Sequence, residues 1–235
     1  MLSIMHNVLW TGGWDSTYRV LDLVAVKGRH VQPYFMTSRH RRSVRREAAA
    51  MEGIRARIGE HGKRIAPTIV VDGDTLPKSK SLAARLETLR ASGYLGTQYL
   101  TLARLAEHLG LADCELSVHF DDRAYEFIAP HAHEVRDGAD SYHQLNVGAP
   151  YAVRMFERFR FPLLTLTKLD MEARAREHGF ADIMELTWFC HSPFLGRPCG
   201  TCAPCRYTID EGLGRRVPLL GHARYWAWRL LKRAR

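Results

Sequence analysis

The chain has 235 residues, a formal net charge of +9 from 34 Lys+Arg against 25 Asp+Glu, and five cysteines. That length is ample for a large buried core, and 46% hydrophobic with 25% charged residues excludes a disordered chain. No apolar run approaches the roughly 20 residues of a bilayer span, and MLSIMHNVLW has neither the basic start nor the cleavage site of a secretory signal. A cytoplasmic protein with reduced cysteines is therefore expected, with anionic partners whose class the charge alone does not choose.

The first predicted element is a strand, Val8-Leu9-Trp10, followed by the turn Thr11-Gly12-Gly13-Trp14-Asp15-Ser16-Thr17 and a helix carrying Tyr18, Val20, Leu21, Leu23, Val24 and Val26. A second strand spans residues 30–36 despite Pro33, and a helix follows over 43–58 with Val44, Ala48, Met51, Ile54 and Ile58 on one face. Residues 65–71 read as a third strand, and 75–96 as a loop with a short helix near Leu82 to Leu89. Helix 98–109 and a fourth strand, 115–120, come next, with Cys114 as a buried apolar residue. Residues 121–148 carry no clear period; Thr167 caps a helix over 168–178, and Pro218 opens a last helix. Strands alternating with helices predict an α/β fold, a doubly wound, Rossmann-like parallel sheet whose ligands bind at the carboxyl ends of the strands.

Gly12 and Gly13 remove two β-carbons where a strand enters a helix, so backbone N–H groups and the helix N-terminus can approach an anion. Ser16 and Thr17 add hydroxyls, and Asp15 either caps the helix or holds magnesium against phosphate oxygens. No lysine follows at the spacing of the G-x-x-x-x-G-K-[ST] loop, and the string is not G-x-G-x-x-G. A tight turn without a ligand is the plainer alternative.

Cys190, Cys199, Cys202 and Cys205 form C-x8-C-x2-C-x2-C, in a stretch looped by Gly196, Gly200 and three prolines. Four thiolates suit a closed, structural tetrahedral zinc site; an iron–sulfur cluster or a redox Cys-x-x-Cys pair are the alternatives. Five arginines between Arg39 and Arg46 suggest either a solvated helix start or a docking surface for nucleic acid. In the last helix, Trp226, Leu230 and Leu231 are expected inward and Arg229, Lys232, Arg233 and Arg235 outward, as a packed helix or a dimer contact. His119, His131, His133 and His143 read as ordinary polar residues, with His131 and His133 nearest to a substrate role.

The glycine turn and the cysteine spacing together resemble the 7-cyano-7-deazaguanine synthase family, within the ATP pyrophosphatases that carry an S-G-G-x-D-S loop. The loop here begins with Thr11 in place of serine. Arg39-His40, Leu100-Thr101-Leu102-Ala103, Phe161-Pro162-Leu163 with Lys168, and the segment from Cys190 to Cys205 are similar to further family motifs, and the likeness runs discontinuously from residue 7 to about 214. The resemblance implies an adenine-nucleotide hydrolase-like domain over 1–182, with a zinc-binding segment and terminal helices over 183–235 packed on it. It implies ATP with Mg²⁺ as substrate, bound by residues 11–17 and Met36, with Asp15 and Lys168 catalytic. Arg39, His40 and Gln98 would contact a small carboxylate, 7-carboxy-7-deazaguanine, activated as an acyl-adenylate and amidated, or carried on to the nitrile.

Two departures bear on the substrate. Leu95-Gly96-Thr97-Gln98 stands where the family carries P-G-R-N, and residues 119–125 replace its acidic, glycine- and proline-containing segment. An anti-phage relative that joins the deazaguanine to a protein or peptide amine is thus a second expectation, with an operon partner as acceptor. A basic zinc module that binds nucleic acid is a third; the enzyme readings do not require nucleic acid.

Overall fold

The computed structural model describes residues 5–233, and its core is a five-stranded parallel sheet. The strands β1 (Met5–Leu9), β2 (His30–Thr37), β3 (Ile69–Asp72), β4 (Cys114–Glu115) and β7 (Phe159–Arg160) lie in the order β3-β2-β1-β4-β7, each pair parallel. Between the last two, β5 (Ala132–Asp137) and β6 (Asp140–Leu145) form a separate antiparallel hairpin.

Side-chain alternation along the strands sends neighbours to opposite faces. Leu9 and Tyr34 join the cluster formed with α3 (Lys80–Arg90), α4 (Gln98–His108) and α5 (Tyr125–Ile128), which includes Leu86, Leu105 and Ile128. Val8, Trp10, Val31 and Phe35 face the other way, against α1 (Trp14–Leu21), α2 (Val44–Arg57), α6 (Lys168–Glu177) and α7 (Ala181–Met184), through Val20, Ile54, Met171 and Met184. The protein is α/β with both faces of its sheet covered. Thr167 caps α6 through a reciprocal box with Asp170, as its position before the helix predicts. The remaining helices, α8 (Ala203–Thr208) and α9 (Leu219–Arg233), follow the cysteine segment.

Away from the cleft described below, Arg19 of α1 is buried in a cluster of charge. Its Nε and Nη2 donate to Glu115 at 2.6 and 2.9 Å, and its Nη1 and Nη2 donate to Asp140 at 3.0 and 2.6 Å. His6 and Lys27 complete the set at Glu115 and Asp140. Burial opposes the charge on both carboxylates, but Arg19 and its neighbours outweigh it and hold each below the ordinary carboxylate range. The ion pairs fasten the β5–β6 hairpin to α1 and the sheet.

Several expectations change. The fourth strand is two residues, Cys114–Glu115, because the chain beyond it turns into the cleft rather than extending to Phe120. The third pairs only from Ile69, after a single bridge between Val31 and Ile65. The first helix begins at Trp14 and passes at Asp22 into a π-helical turn. In α9, Trp226, Leu230 and Leu231 face out at 53%, 65% and 70% exposure, while Gly221 and Tyr225 occupy the packed side. Tyr225, bonded to Asp210, and Arg224, which donates to the Cys199 carbonyl and stacks on Phe194, supply the inward contacts expected of the leucines. The side chain of Arg233, and Arg235, lie outside the described residues.

Candidate functional site

The strand order reverses between β1 and β4, and in a parallel sheet that reversal opens a crevice at the carboxyl ends of the strands. The turn after β1, the segment after β4 and the start of α6 all meet there. Gly12 has φ +66°, and a Cβ on it would stand 2.7 Å from the Glu47 carbonyl oxygen, so the turn closes against α2 only with glycine. Gly13 begins α1 in extended conformation with no side-chain cap, and Asp15 lies in the first helical turn. Asp15 therefore does not cap the helix; its carboxylate faces the cleft.

Two cavities adjoin at this end of the sheet, sharing Thr11, Glu47, Gln98 and His191 in their walls. The larger, about 830 Å³, lies over the ends of β2 and β3 beside Met36, His40, Arg42 and Gly73. The smaller, about 470 Å³, is lined by Asp15, Tyr99, His119, Asp122, Lys168 and Glu211, with Trp188 and Phe189 from the C-terminal segment.

Lys168 Nζ lies 2.7 Å from Glu211 Oε2 and 3.9 Å from Asp15 Oδ1. Burial opposes the ammonium charge, but Asp15 and Glu211 outweigh it and raise the lysine pKa. Burial raises Glu211, which Lys168 offsets only in part. His119 Nδ1 accepts a hydrogen bond from the Asp121 N–H at 3.2 Å, which leaves the protonated Nε2 facing Asp15 Oδ1 at 3.8 Å. Neither contact to Asp15 is short enough to be a hydrogen bond, and this buried oxygen has no hydrogen-bond partner. Tyr99 donates to Asp122 Oδ1 at 2.5 Å; burial and then that carboxylate push its phenol well above the ordinary value. Arg216 stacks on Trp14 and Phe189 at 4.9 and 5.0 Å and donates to Thr187, and burial lowers its pKa.

The four cysteines converge. One sulfur from each of Cys190, Cys199, Cys202 and Cys205 lies within 4.8 Å of every other, and the pairs Cys190–Cys202 and Cys199–Cys205 are 3.9 Å apart. A disulfide needs about 2.05 Å, whereas tetrahedral bonds of about 2.3 Å put sulfurs roughly 3.8 Å apart. The donor set can hold a structural metal such as zinc. Backbone N–H groups of Thr201 and Cys202 donate to Cys199 Sγ, and that of Cys199 to Cys190 Sγ, which favours thiolates. Gly200, at φ +78°, lies so close to α9 that a Cβ would fall 1.8 Å from the Gly221 carbonyl oxygen. His191 is not among these donors; it lines the cavities. Trp188 N–H donates to the Gly12 carbonyl at 2.8 Å, which ties the cysteine segment directly to the glycine turn.

The expected site residues divide. Gly13, Trp14, Asp15 and Lys168 line the smaller cavity, Met36 and His40 the larger, Thr11 and Gln98 both, and Gly12 neither. Thr17 turns away from the cleft: it is buried, and its Oγ1 accepts from Trp10 Nε1 at 3.0 Å. Ser16 Oγ lies 3.3 Å from the Thr11 nitrogen and braces the turn from inside. Arg39 is outside both cavities, paired with Asp74 at the surface. In the basic run, Arg41 pairs with Glu47, and Arg46 stacks on Trp188 and donates to the Gly196 carbonyl; these two are spent within the molecule. His119 is drawn into the cleft although its sequence context reads as ordinary, while His131 ends the 3-10 turn before β5 and His133 lies on β5, both outside the two cavities. Asp122 falls in the 119–125 segment that the sequence ties to the substrate, whereas Tyr99, Glu211 and Arg216 carried no local signal, since each reaches the cleft only through long-range packing.

No helix among the described residues is long and apolar enough to cross a membrane. No protein-family model matches the chain, and no curated protein matches it.

Proposed function

We propose that the protein is an ATP-dependent carbon–nitrogen ligase of the adenine-nucleotide hydrolase-like type, which activates a carboxylic acid as its acyl-adenylate and passes it to an amine. The observation that carries this reading is the half-buried Asp15 carboxylate, whose buried Oδ1 has no hydrogen-bond partner, beside Lys168 at the mouth of the glycine turn. A buried charged oxygen left unmatched costs stability and marks where a ligand belongs. The smaller cavity holds more carboxylates than permanent cations, with Asp15, Glu47, Asp121, Asp122 and Glu211 against Lys168, Arg123 and Arg216. A polyphosphate entering that environment needs a divalent cation, and Asp15 would hold Mg²⁺ against it.

In this reading the adenosine lies in the larger cavity beside Met36, and the triphosphate runs over the turn at Gly12-Gly13. The acid, of the 7-carboxy-7-deazaguanine class, occupies the smaller cavity. Its carboxylate oxygen attacks the α-phosphorus and pyrophosphate leaves; the turn, the cation and Lys168 stabilise the charge that grows on the leaving group. An amine nitrogen then adds to the acyl carbon and AMP departs. The four cysteines hold zinc as a structural staple, keeping Trp188 and Phe189 in the cavity wall.

Incubation with ATP, Mg²⁺ and 7-carboxy-7-deazaguanine, with ammonia or candidate amine donors including proteins encoded beside this gene, tests the reading. AMP, pyrophosphate and an amide of defined mass are expected. ADP and phosphate as the only nucleotide products would overturn the acyl-adenylate.

A further inference from the structure

We propose that Glu211 is the general base of the amide-forming step and takes the proton that the attacking amine sheds. This rests on the activation chemistry proposed above. When an amine adds to an acyl-adenylate, a C–N bond forms and the nitrogen becomes positively charged. Unless a proton leaves, the adduct collapses backwards and expels the amine. With the proton on a carboxylate, the C–O bond to the adenylate breaks, AMP leaves with its electron pair, and the amide remains. A proton acceptor must therefore stand in the same chamber as the acyl carbon.

The chamber's other acids are committed. Glu47 is paired with Arg41, Asp122 accepts from Tyr99 and from the Ala124 N–H, Asp121 is exposed at the rim, and Asp15 faces the phosphate end. His119 uses Nδ1 as an acceptor within its own loop. Glu211 differs in its counter-ion: Lys168 Nζ, 2.7 Å from Glu211 Oε2, also lies 3.9 Å from Asp15 Oδ1 at the phosphate end, so the cation that holds Glu211 is the one a phosphate would draw away.

Its placement depends on a break in the chain after α8. Residues Ile209–Leu213 form a π-helical turn in which Gly212 adopts φ 87° and ψ −1°. A Cβ at Gly212 would come within 3.0 Å of Leu169 Cδ2, so the reversal packs directly on α6 and sets Glu211 against the neighbouring Lys168. The groups facing Glu211 are Lys168 from α6, Asp15 from α1 and His119 from the segment after β4.

This arrangement couples the base to the nucleotide. With no phosphate present, Lys168 neutralises Glu211. A phosphate in the cleft competes for Lys168, and each displacement of the ammonium towards it strips Glu211 of its counter-ion. The carboxylate then binds a proton more strongly, so the base is strengthened whenever a phosphate group occupies the cleft.

The test separates the half-reactions in the full-length, metal-loaded protein, using 7-carboxy-7-deazaguanine as the acid. Glu211→Gln is expected to keep acid-dependent pyrophosphate–ATP exchange within about threefold while losing about 100-fold in amide formation from ammonia, the lower end for a positioned base. Hydroxylamine, whose adduct sheds its proton readily to water, should restore trapping to near the unsubstituted level, and Glu211→Asp should recover part of the ammonia reaction. Exchange lost in step with amide formation would overturn the assignment, because Glu211 would then act by positioning Lys168. Unchanged amide formation would overturn it equally. Absence of exchange in the unsubstituted protein would overturn the activation reading, and this assignment with it.

Discussion

Helix α1 serves two clusters of buried charge, and they are built on opposite principles. Around Arg19, both oxygens of Glu115 and both of Asp140 meet a cation, and the carboxylate pKa values fall. One turn earlier, Asp15 has an oxygen with no hydrogen-bond partner, and nearby Glu211 is raised rather than lowered by its surroundings. In the first cluster every one of those carboxylate oxygens meets a cation, whereas the second borders a cavity of about 470 Å³. Buried charge that is fully paired maintains architecture, whereas buried charge left incomplete beside a cavity is poised for a ligand. Thus His6, Glu115 and Asp140, although close enough together to hold a cation, have that place taken by Arg19 and Lys27.

The cysteine cluster is the extreme of an incomplete set, four sulfur donors around one point. Cys199→Ser should therefore have the largest effect: metal content falling from one ion per chain to near zero, with loss of the cooperative melt of the C-terminal segment, read by elemental analysis and hydrogen exchange. Next, Arg19→Met should cost about 3–5 kcal/mol in urea unfolding, because Glu115 and Asp140 remain buried without their cation. Asp15→Asn should reverse that pattern. Turnover should fall by about 10²–10³-fold, on the scale of removing one preorganised charge-stabilising group, while the melting temperature holds or rises. A stability loss at Asp15 comparable to that at Arg19 would break the comparison.

The pH dependences should have opposite signs. Glu115 and Asp140 are depressed in the folded state, so between their folded and ordinary values the unfolded chain binds more protons. Their stabilisation is complete above the ordinary carboxylate range and is lost as pH falls through the folded values. Glu211 is raised, so its folded form binds the extra proton, and its contribution declines as pH rises from the ordinary carboxylate value through the raised one. Unfolding measured against pH should show the acid-side loss flattened in Arg19→Met and the rising-pH decline removed in Glu211→Gln. The smallest effect is expected from Arg42→Ala with Arg45→Ala, within about 0.5 kcal/mol of stability. Steep, salt-dependent oligonucleotide binding that these two changes abolish would revive the nucleic-acid reading.

The amino-acid sequence by itself determined what depends on near neighbours. The order strand, Gly12-Gly13, helix is a matter of local period and turn chemistry, and the structure places that turn where β1 enters α1. The spacing from Cys190 to Cys205 confines four thiols to a loop short enough to bring them together, and they converge. Thr167 is legible as a cap because its partner Asp170 is three residues away.

Only the tertiary structure decided the rest. The strand read over 115–120 keeps only Cys114–Glu115, and β7, two residues with no measurable period, takes its place in the sheet by pairing with β4, which itself pairs with β1. Thr17 sits in the same string as Asp15 yet points into the core, since successive helical residues diverge by about 100°. The leucines of α9 face solvent because the close approach of Gly200 to Gly221 selects which side of that helix packs, a steric choice between segments that no periodicity encodes. Glu211 meets Lys168 across 43 positions of chain, through a reversal at Gly212 that matters only once α6 lies beneath it.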